Sequence, residues 1–248
     1  MVKPIPRSVY PNLVTMINLF CGFYSIILSA KSDYMMAFWL IITGAIADAF
    51  DGKVARIVNG SSEFGVQYDS LADLITFAAA PSFLVYNLLG APDNEFYMAI
   101  SFFPLLFGSL RLARFNIELV GFEKSEFNGF PSPASAISIA SIVPFDRAMQ
   151  ANQWIKQAVW QEYHILFLCT VAYFSMLMVS KIKYETMPDF TLKSGRENII
   201  KLVALGLFIP FLVSEPYLVL FPGALLFSFI GIVRWMFRKN KKLDKQEL

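Results

Sequence analysis

Four aspartates, Asp48, Asp51, Asp69 and Asp73, stand at the margins of two strongly apolar stretches, in the run D-A-F-D-G-K-V-A-R-I-V-N-G-S-S-E-F-G-V-Q-Y-D-S-L-A-D. A carboxylate deep in a membrane helix costs roughly 2.5–3.5 kcal/mol, so four of them need something that neutralises them. Their spacing indicates what it is. Asp48 and Asp51 are three apart, Asp69 and Asp73 four apart, and residues at those separations share a helical face. The N-G-S-S between the two pairs is turn chemistry. If the chain reverses about Gly60, Asp51 and Asp69 lie level, and Asp48 and Asp73 nearly so. With helix axes about 8–10 Å apart, facing carboxylates can share a cation. A ligand set made only of oxygens favours Mg²⁺ or Mn²⁺ over zinc.

The neighbours of the acids suit a diphosphate ligand. Gly52 and Gly65 remove side chains beside the carboxylates, so a bulky group can approach the backbone. Ala55 lies one turn after Asp51 and keeps that face open. Arg56 offers a planar guanidinium to phosphate oxygens. Taken singly, small residues of this kind also serve close helix packing.

These residues need a membrane helix bundle to position them. The chain has 248 residues, 56% of them apolar and only 16% charged, with a mean hydropathy of +0.53. Globular domains carry about 25% charged residues, so this composition, with repeated apolar runs near helix-spanning length, places the chain in the bilayer. Such runs without strict alternation are helices. The expected fold class is all-α and polytopic, with about eight spans: Leu13–Ala30, Tyr34–Val58, Val66–Leu89, Phe96–Phe115, a proline-broken Pro133–Met149, Trp160–Ser180, a short Ile199–Val213 and Pro216–Phe237. With both termini cytoplasmic, only Lys31, Arg147 and Lys156 of the 21 Lys and Arg fall on the far side, as the positive-inside rule requires. The aspartate hairpin then faces the cytoplasm. The net charge of +2 gives no reason to expect a nucleic-acid partner. The basic tail from Arg238 to Lys245 is a topology signal or a contact for anionic lipid. The N-terminus makes a poor signal peptide. Cys21 and Cys169 lie in apolar runs and read as small core residues.

The spacing D-x2-D-G-x2-A-R-x8-G-x3-D-x3-D, from Asp48 to Asp73, resembles at every fixed position the signature of the CDP-alcohol phosphatidyltransferase family. The resemblance implies an enzyme that cleaves a CDP-linked lipid, releases CMP and joins the phosphatidyl group to an alcohol. It implies two bound Mg²⁺ or Mn²⁺ ions. By position, Asp48, Asp51 and Asp69 are similar to the family's metal ligands. Asp73 resembles its general base and closes the acidic set. Gly52, Ala55, Arg56 and Gly65 match its CDP-binding positions. A homodimer is also implied.

Further segments bear on the acceptor. In P-N-L-V-T-M-I-N-L-F-C-G, Asn12, Thr15 and Asn18 form a polar stripe at intervals of three. Two readings stand: contact with the nucleotide, for which Asn12 and Thr15 are the candidates, or helix capping by Asn12 with interhelical hydrogen bonds from the others. R-L-A-R-F-N, Arg111 to Asn116, and F-N-G-F-P-S-P-A, Phe127 to Ala134, are similar to segments of the membrane-embedded phosphatidylserine synthase branch of the family, with Phe130 where leucine is usual. That likeness implies CDP-diacylglycerol and L-serine as substrates and a bacterial or archaeal plasma (inner) membrane as the location. Arg111, Arg114 and Asn116 are the acceptor-binding candidates, and the two arginines are equally explained by charge topology. Glycerol 3-phosphate, inositol phosphate or choline remain alternative acceptors. A divalent-cation transporter is a more distant alternative, disfavoured because Arg56 would repel the cargo and no second half repeats the acidic hairpin. His164, the only histidine, reads as an interfacial polar residue. The resemblance runs from about Pro11 through the sixth span, and residues 1–182 are expected to form the membrane core. Residues 183–248 are expected to add a cytoplasmic loop, two spans and the basic tail.

Overall fold

The structure, a computed structural model, describes residues 9–58, 60, 62–90, 94–119, 129–182, 184 and 216–243. Those residues fold into helices α1 (Val9–Ala30), α2 (Tyr34–Val58), α3 (Glu63–Asp73), α4 (Ala80–Leu88), α5 (Glu95–Ser101), α6 (Phe103–Leu119), α7 (Ser132–Ala140), α8 (Ile142–Ala151), α9 (Val159–Glu162), α10 (His164–Met178) and α11 (Pro216–Leu243). A π-helical turn, Leu74–Ala79, joins α3 to α4 without a break in direction.

Among the described residues, five segments are long and apolar enough to cross a membrane: Val9–Ala30, Tyr34–Ala55, Glu63–Leu88, Glu95–Ile117 and Tyr217–Met236, with His164–Met178 a shorter apolar helix. The described residues form helices and no strands, and the protein is an integral membrane protein. The expected fifth span is a pair of short helices. α7 ends at Ser141 (φ −65°, ψ −9°), and α8 begins beyond it. Pro144 lacks the N–H that would carry the ladder across this point. The sixth is likewise divided, at Tyr163. The short seventh stretch, Ile199–Val213, lies outside the described residues. α11 packs against α7 and α8.

Helices in lipid gain little from apolar burial against one another and associate through close packing and interhelical hydrogen bonds. The α1–α2 pair shows this. Ser25 donates to Ala37 O at 3.0 Å, and Gly44 on α2 lies against α1, where an added Cβ would be 3.5 Å from Cys21 Cβ. Farther round, Phe38, Phe77, Leu84, Ile139, Val171 and Phe174 form a buried core shared by α2, the π turn, α4, α7 and α10. Phe130 extends it, edge-on to Tyr184 with ring centroids 5.0 Å apart. Its backbone N–H is bonded to Leu177 O on α10 at 2.9 Å.

The acidic hairpin is terminated as its sequence requires. The Gly60 N–H bonds back to Ala55 O at 3.0 Å, closing α2. Ser62, in extended conformation, caps α3 by accepting from the Gly65 N–H at 3.0 Å, an N-cap arrangement that satisfies one orphan donor of the first turn.

Candidate active site

One end of the bundle gathers the N-terminal half of α1, the C-terminal half of α2, all of α3, the end of α6 and the start of α7. Asp48 and Asp51 on α2 meet Asp69 on α3 here. One carboxylate oxygen from each lies within 4.8 Å of the others. Asp51 is 6% exposed, and Asp48 and Asp69 are half-buried. Two like charges about 4 Å apart repel by roughly 4 kcal/mol at an effective dielectric near 20, so three ionised carboxylates at this spacing require a counter-charge. Asp69 Oδ1 is buried with no hydrogen-bond partner. An all-oxygen trio with an unsatisfied inward oxygen fits a hard divalent cation, so the residues present can hold the metal that the motif implies.

Asp73 stands beside this trio. It lies one turn farther along α3, close enough to Asp48 and Asp69 to feel both charges, and its Oδ1 accepts from Asn18 Nδ2 on α1 at 3.0 Å. The π turn starts at the next residue, Leu74. Such insertions recur at functional sites because they redirect side chains within a continuous helix. Thr76 in this turn bonds through Oγ1 to Asn18 O at 2.9 Å. Its backbone sits so near α1 that a Cβ on Gly22 would lie 2.7 Å from Thr76 Cα. A Cβ on Gly44 would lie 2.6 Å from Thr76 Cγ2. Thr76 is thus wedged between α1 and α2, and the two glycines are required by that approach.

Of the polar stripe on α1, Thr15 is buried and donates to Asp51 Oδ2 at 3.0 Å. Asn18 is wholly buried. Asn12 is not a helix cap, because α1 begins at Val9. The proline at position 11 sits within the first turn, where its missing N–H costs nothing. The side chain of Asn12 faces α3, its Oδ1 only 3.2 Å from where a Cβ on Gly65 would be. Gly52 is open: an added Cβ would meet nothing within 4 Å. Ala55 is half-buried on the same helix. Arg56 occupies the last turn of α2, and its side chain lies outside the described residues.

The acceptor candidates separate into three situations. Arg111 on α6 is half-buried, is close enough to Asp73 for attraction, and donates from Nη1 to Ser132 Oγ at 2.7 Å. Its Nε is buried and unpartnered. Arg114 is exposed. Asn116 ties α6 to α3, accepting from Ser70 Oγ at 2.9 Å and donating to Gln67 Oε1 at 3.4 Å. The sequence-based set omitted Asn18, Thr76 and Ser132 as site residues. A signal existed for two of them. Asn18 continues the α1 stripe, and Thr76 continues the Asp69–Asp73 face one turn on. His164 is exposed near Tyr97, and α10 starts with it.

A polytopic helical membrane protein with a carboxylate cluster at one end of the bundle, open beside Gly52 and walled by a half-buried arginine, has the parts of a metal-dependent enzyme acting on a phosphorylated lipid. The model of the CDP-alcohol phosphatidyltransferase family matches residues 8–160, and the chain belongs to that family. It is 34% identical over 239 residues to a Helicobacter pylori protein named CDP-diacylglycerol–serine O-phosphatidyltransferase, covering 94% of this chain and 93% of that one. A Bacillus subtilis protein of the same name is 34% identical over 76% of this chain and 98% of its own length. An archaetidylserine synthase of Methanothermobacter thermautotrophicus is 34% identical over 70% of this chain and 68% of its own.

Proposed function

We propose that this protein transfers the phosphatidyl group of CDP-diacylglycerol to L-serine, releasing CMP and forming phosphatidylserine. The observation that carries the chemistry is the convergence of Asp48, Asp51 and Asp69 within 4.8 Å, with Asp73 beside them. The choice of serine is supported by the names of the similar proteins from two bacteria and an archaeon.

In this reading Asp48, Asp51 and Asp69 hold Mg²⁺ or Mn²⁺, and Asp73 completes the acidic wall where a second ion would lie. Bound there, a divalent cation supplies positive charge against the diphosphate and the departing CMP. The open backbone at Gly52, with Ala55 and Gly65, admits the nucleotide, and Arg56 pairs with phosphate oxygens. Asn12 borders the same opening. Thr15 acts one step back from the ligand, through Asp51. Asp73 accepts the proton of the serine hydroxyl as its oxygen forms a bond to the lipid-linked phosphorus. The phosphorus–oxygen bond to CMP breaks, and the proton rests on the Asp73 carboxylate. Arg111, held by Ser132 beside Asp73, receives the serine carboxylate. Arg114, exposed at the end of α6, adds positive charge to that approach. Asn116 keeps α6 and α3 in register.

The site faces the cytoplasm of a plasma (inner) membrane in this reading, with both termini on that side, and the enzyme is a homodimer. Residues 1–182 carry the catalytic core, and 183–248 are an addition to it. Purified protein incubated with labelled CDP-diacylglycerol, Mn²⁺ and one alcohol at a time tests the acceptor. CMP release that depends on L-serine is expected. CMP release with glycerol 3-phosphate but not with serine would end the assignment.

A further inference from the structure

We propose that Asn18 is a positioning residue for the proton-accepting carboxylate. It holds Asp73 through Oδ1 and so fixes the direction in which the carboxylate meets the acceptor hydroxyl. The inference rests on the reading of Asp73 as the base and names the group that orients it.

Asn18 is gripped twice by the segment that carries Asp73. Its Nδ2 donates to Asp73 Oδ1 at 3.0 Å, and its backbone carbonyl accepts from Thr76 Oγ1 at 2.9 Å. The two bonds close a ring between α1 and the junction of α3 with the π turn. Any slide of α1 along α3 breaks both. The amide also has only one workable orientation. Turned over, it would set Oδ1 against a carboxylate oxygen, two acceptors with no proton between them. In the orientation observed, Asn18 Oδ1 is fully buried and has no hydrogen-bond partner. It lies instead in the space beside Gly44, 3.1 Å from where a Cβ there would be.

That unpaired oxygen argues against a purely structural role. A buried acceptor without a donor is costly, and such groups are rare in native proteins. A leucine of similar size would fill the space between α1, α2 and α3 without this cost. The asparagine is therefore favoured at this position by what its other end does. A carboxylate with one oxygen held by a fixed donor has lost its rotational freedom. The bond to Asn18 then sets the direction of the whole carboxyl group, which is what proton transfer at hydrogen-bond distance needs.

The test is a double-mutant cycle with Asn18→Leu and Asp73→Asn, assayed by CMP release against varied L-serine, CDP-diacylglycerol and Mn²⁺. Asn18→Leu alone is expected to lower kcat on the order of tenfold or more. KM for CDP-diacylglycerol and half-saturation by Mn²⁺ should stay within about twofold. In the Asp73→Asn background the same substitution should change kcat by less than about twofold, since the group it positions has gone. A merely structural role would lower activity by the same factor in both backgrounds, and that result overturns the proposal. So does unchanged kcat in Asn18→Leu, or a loss confined to CDP-diacylglycerol binding. Asn18→Ala repeats the cycle with a smaller side chain. If both Asn18 variants lose the folded, monodisperse protein while Asp73→Asn keeps it, the residue is structural and the proposal falls. If Asp73→Asn alone turns over like the parent, the base assignment itself fails, an outcome separable from all the others.

Discussion

Thr15 on α1 donates its single hydroxyl proton to Asp51 Oδ2 at 3.0 Å, with Pro11 O also in reach at 3.2 Å. The carboxylate is the stronger acceptor. The donor that the sequence offered to a nucleotide is therefore occupied in orienting one of the three clustered acids. In the proposed reading Thr15 would act on a bound metal through Asp51, and on the substrate only through that metal.

Thr15→Val keeps the shape and removes the donor. Hydrogen bonds to charged groups contribute about 1.5–3 kcal/mol, and groups that orient metal ligands alter affinity by about 10- to 100-fold. The expected outcome is a rise of about tenfold in the Mn²⁺ concentration for half-maximal activity, with KM for CDP-diacylglycerol unchanged at saturating metal. A metal titration of activity checks it. An unaltered metal requirement with weakened lipid-nucleotide binding would return Thr15 to direct substrate contact.

Asp69→Ala removes the acid whose Oδ1 has no other partner. It should abolish measurable Mn²⁺ binding by calorimetry and reduce CMP release to background. Chelation of the parent protein with EDTA should do the same, and added Mn²⁺ should restore the parent only. Retention of metal binding in the variant would mean that the cation site does not need the trio.

Ser132→Ala frees Arg111 Nη1 from its 2.7 Å bond while leaving the guanidinium present. A mobile guanidinium loses part of its value for a planar carboxylate. KM for L-serine should rise several-fold, roughly 0.5–1.5 kcal/mol of lost orientation, with KM for CDP-diacylglycerol unaltered. Arg111→Lys should raise it further. A shift in the lipid substrate's KM instead would place Arg111 on the phosphate side.

Gly22→Ala and Gly52→Ala should behave oppositely. At Gly22 the new methyl would collide with the backbone of Thr76, 2.7 Å from its Cα, so α1 must move away from the π turn. Overpacking of this kind costs about 1–3 kcal/mol, and the thermal midpoint in detergent should fall. At Gly52 nothing lies within 4 Å, and alanine in a helix is favoured over glycine by about 0.8–1.0 kcal/mol. Stability should hold or rise there while KM for CDP-diacylglycerol increases, because the open face is where a ligand approaches.

The membrane setting, the helical class and the identity of the acidic cluster were all legible in the chain itself. Apolar runs of bilayer length define helices wherever they occur, and carboxylates at intervals of three and four share a face regardless of what surrounds them. Turn residues around Gly60 then set the register of the hairpin, so Asp48, Asp51 and Asp69 were placed together by local rules alone. Asp73 was placed only approximately. Level counting sets Asp48 and Asp73 one residue out of register, and no local signal marks the π turn at Leu74–Ala79 that follows Asp73. The tertiary fold decided the remainder because those contacts join residues far apart in sequence. Asn18 reaches Asp73 across 55 positions, Thr76 reaches back to Asn18 across 58, and Arg111 finds Ser132 rather than solvent. Periodicity names the face on which a polar side chain lies. Only the packing of one helix on another determines which acid, cation or carbonyl it meets there.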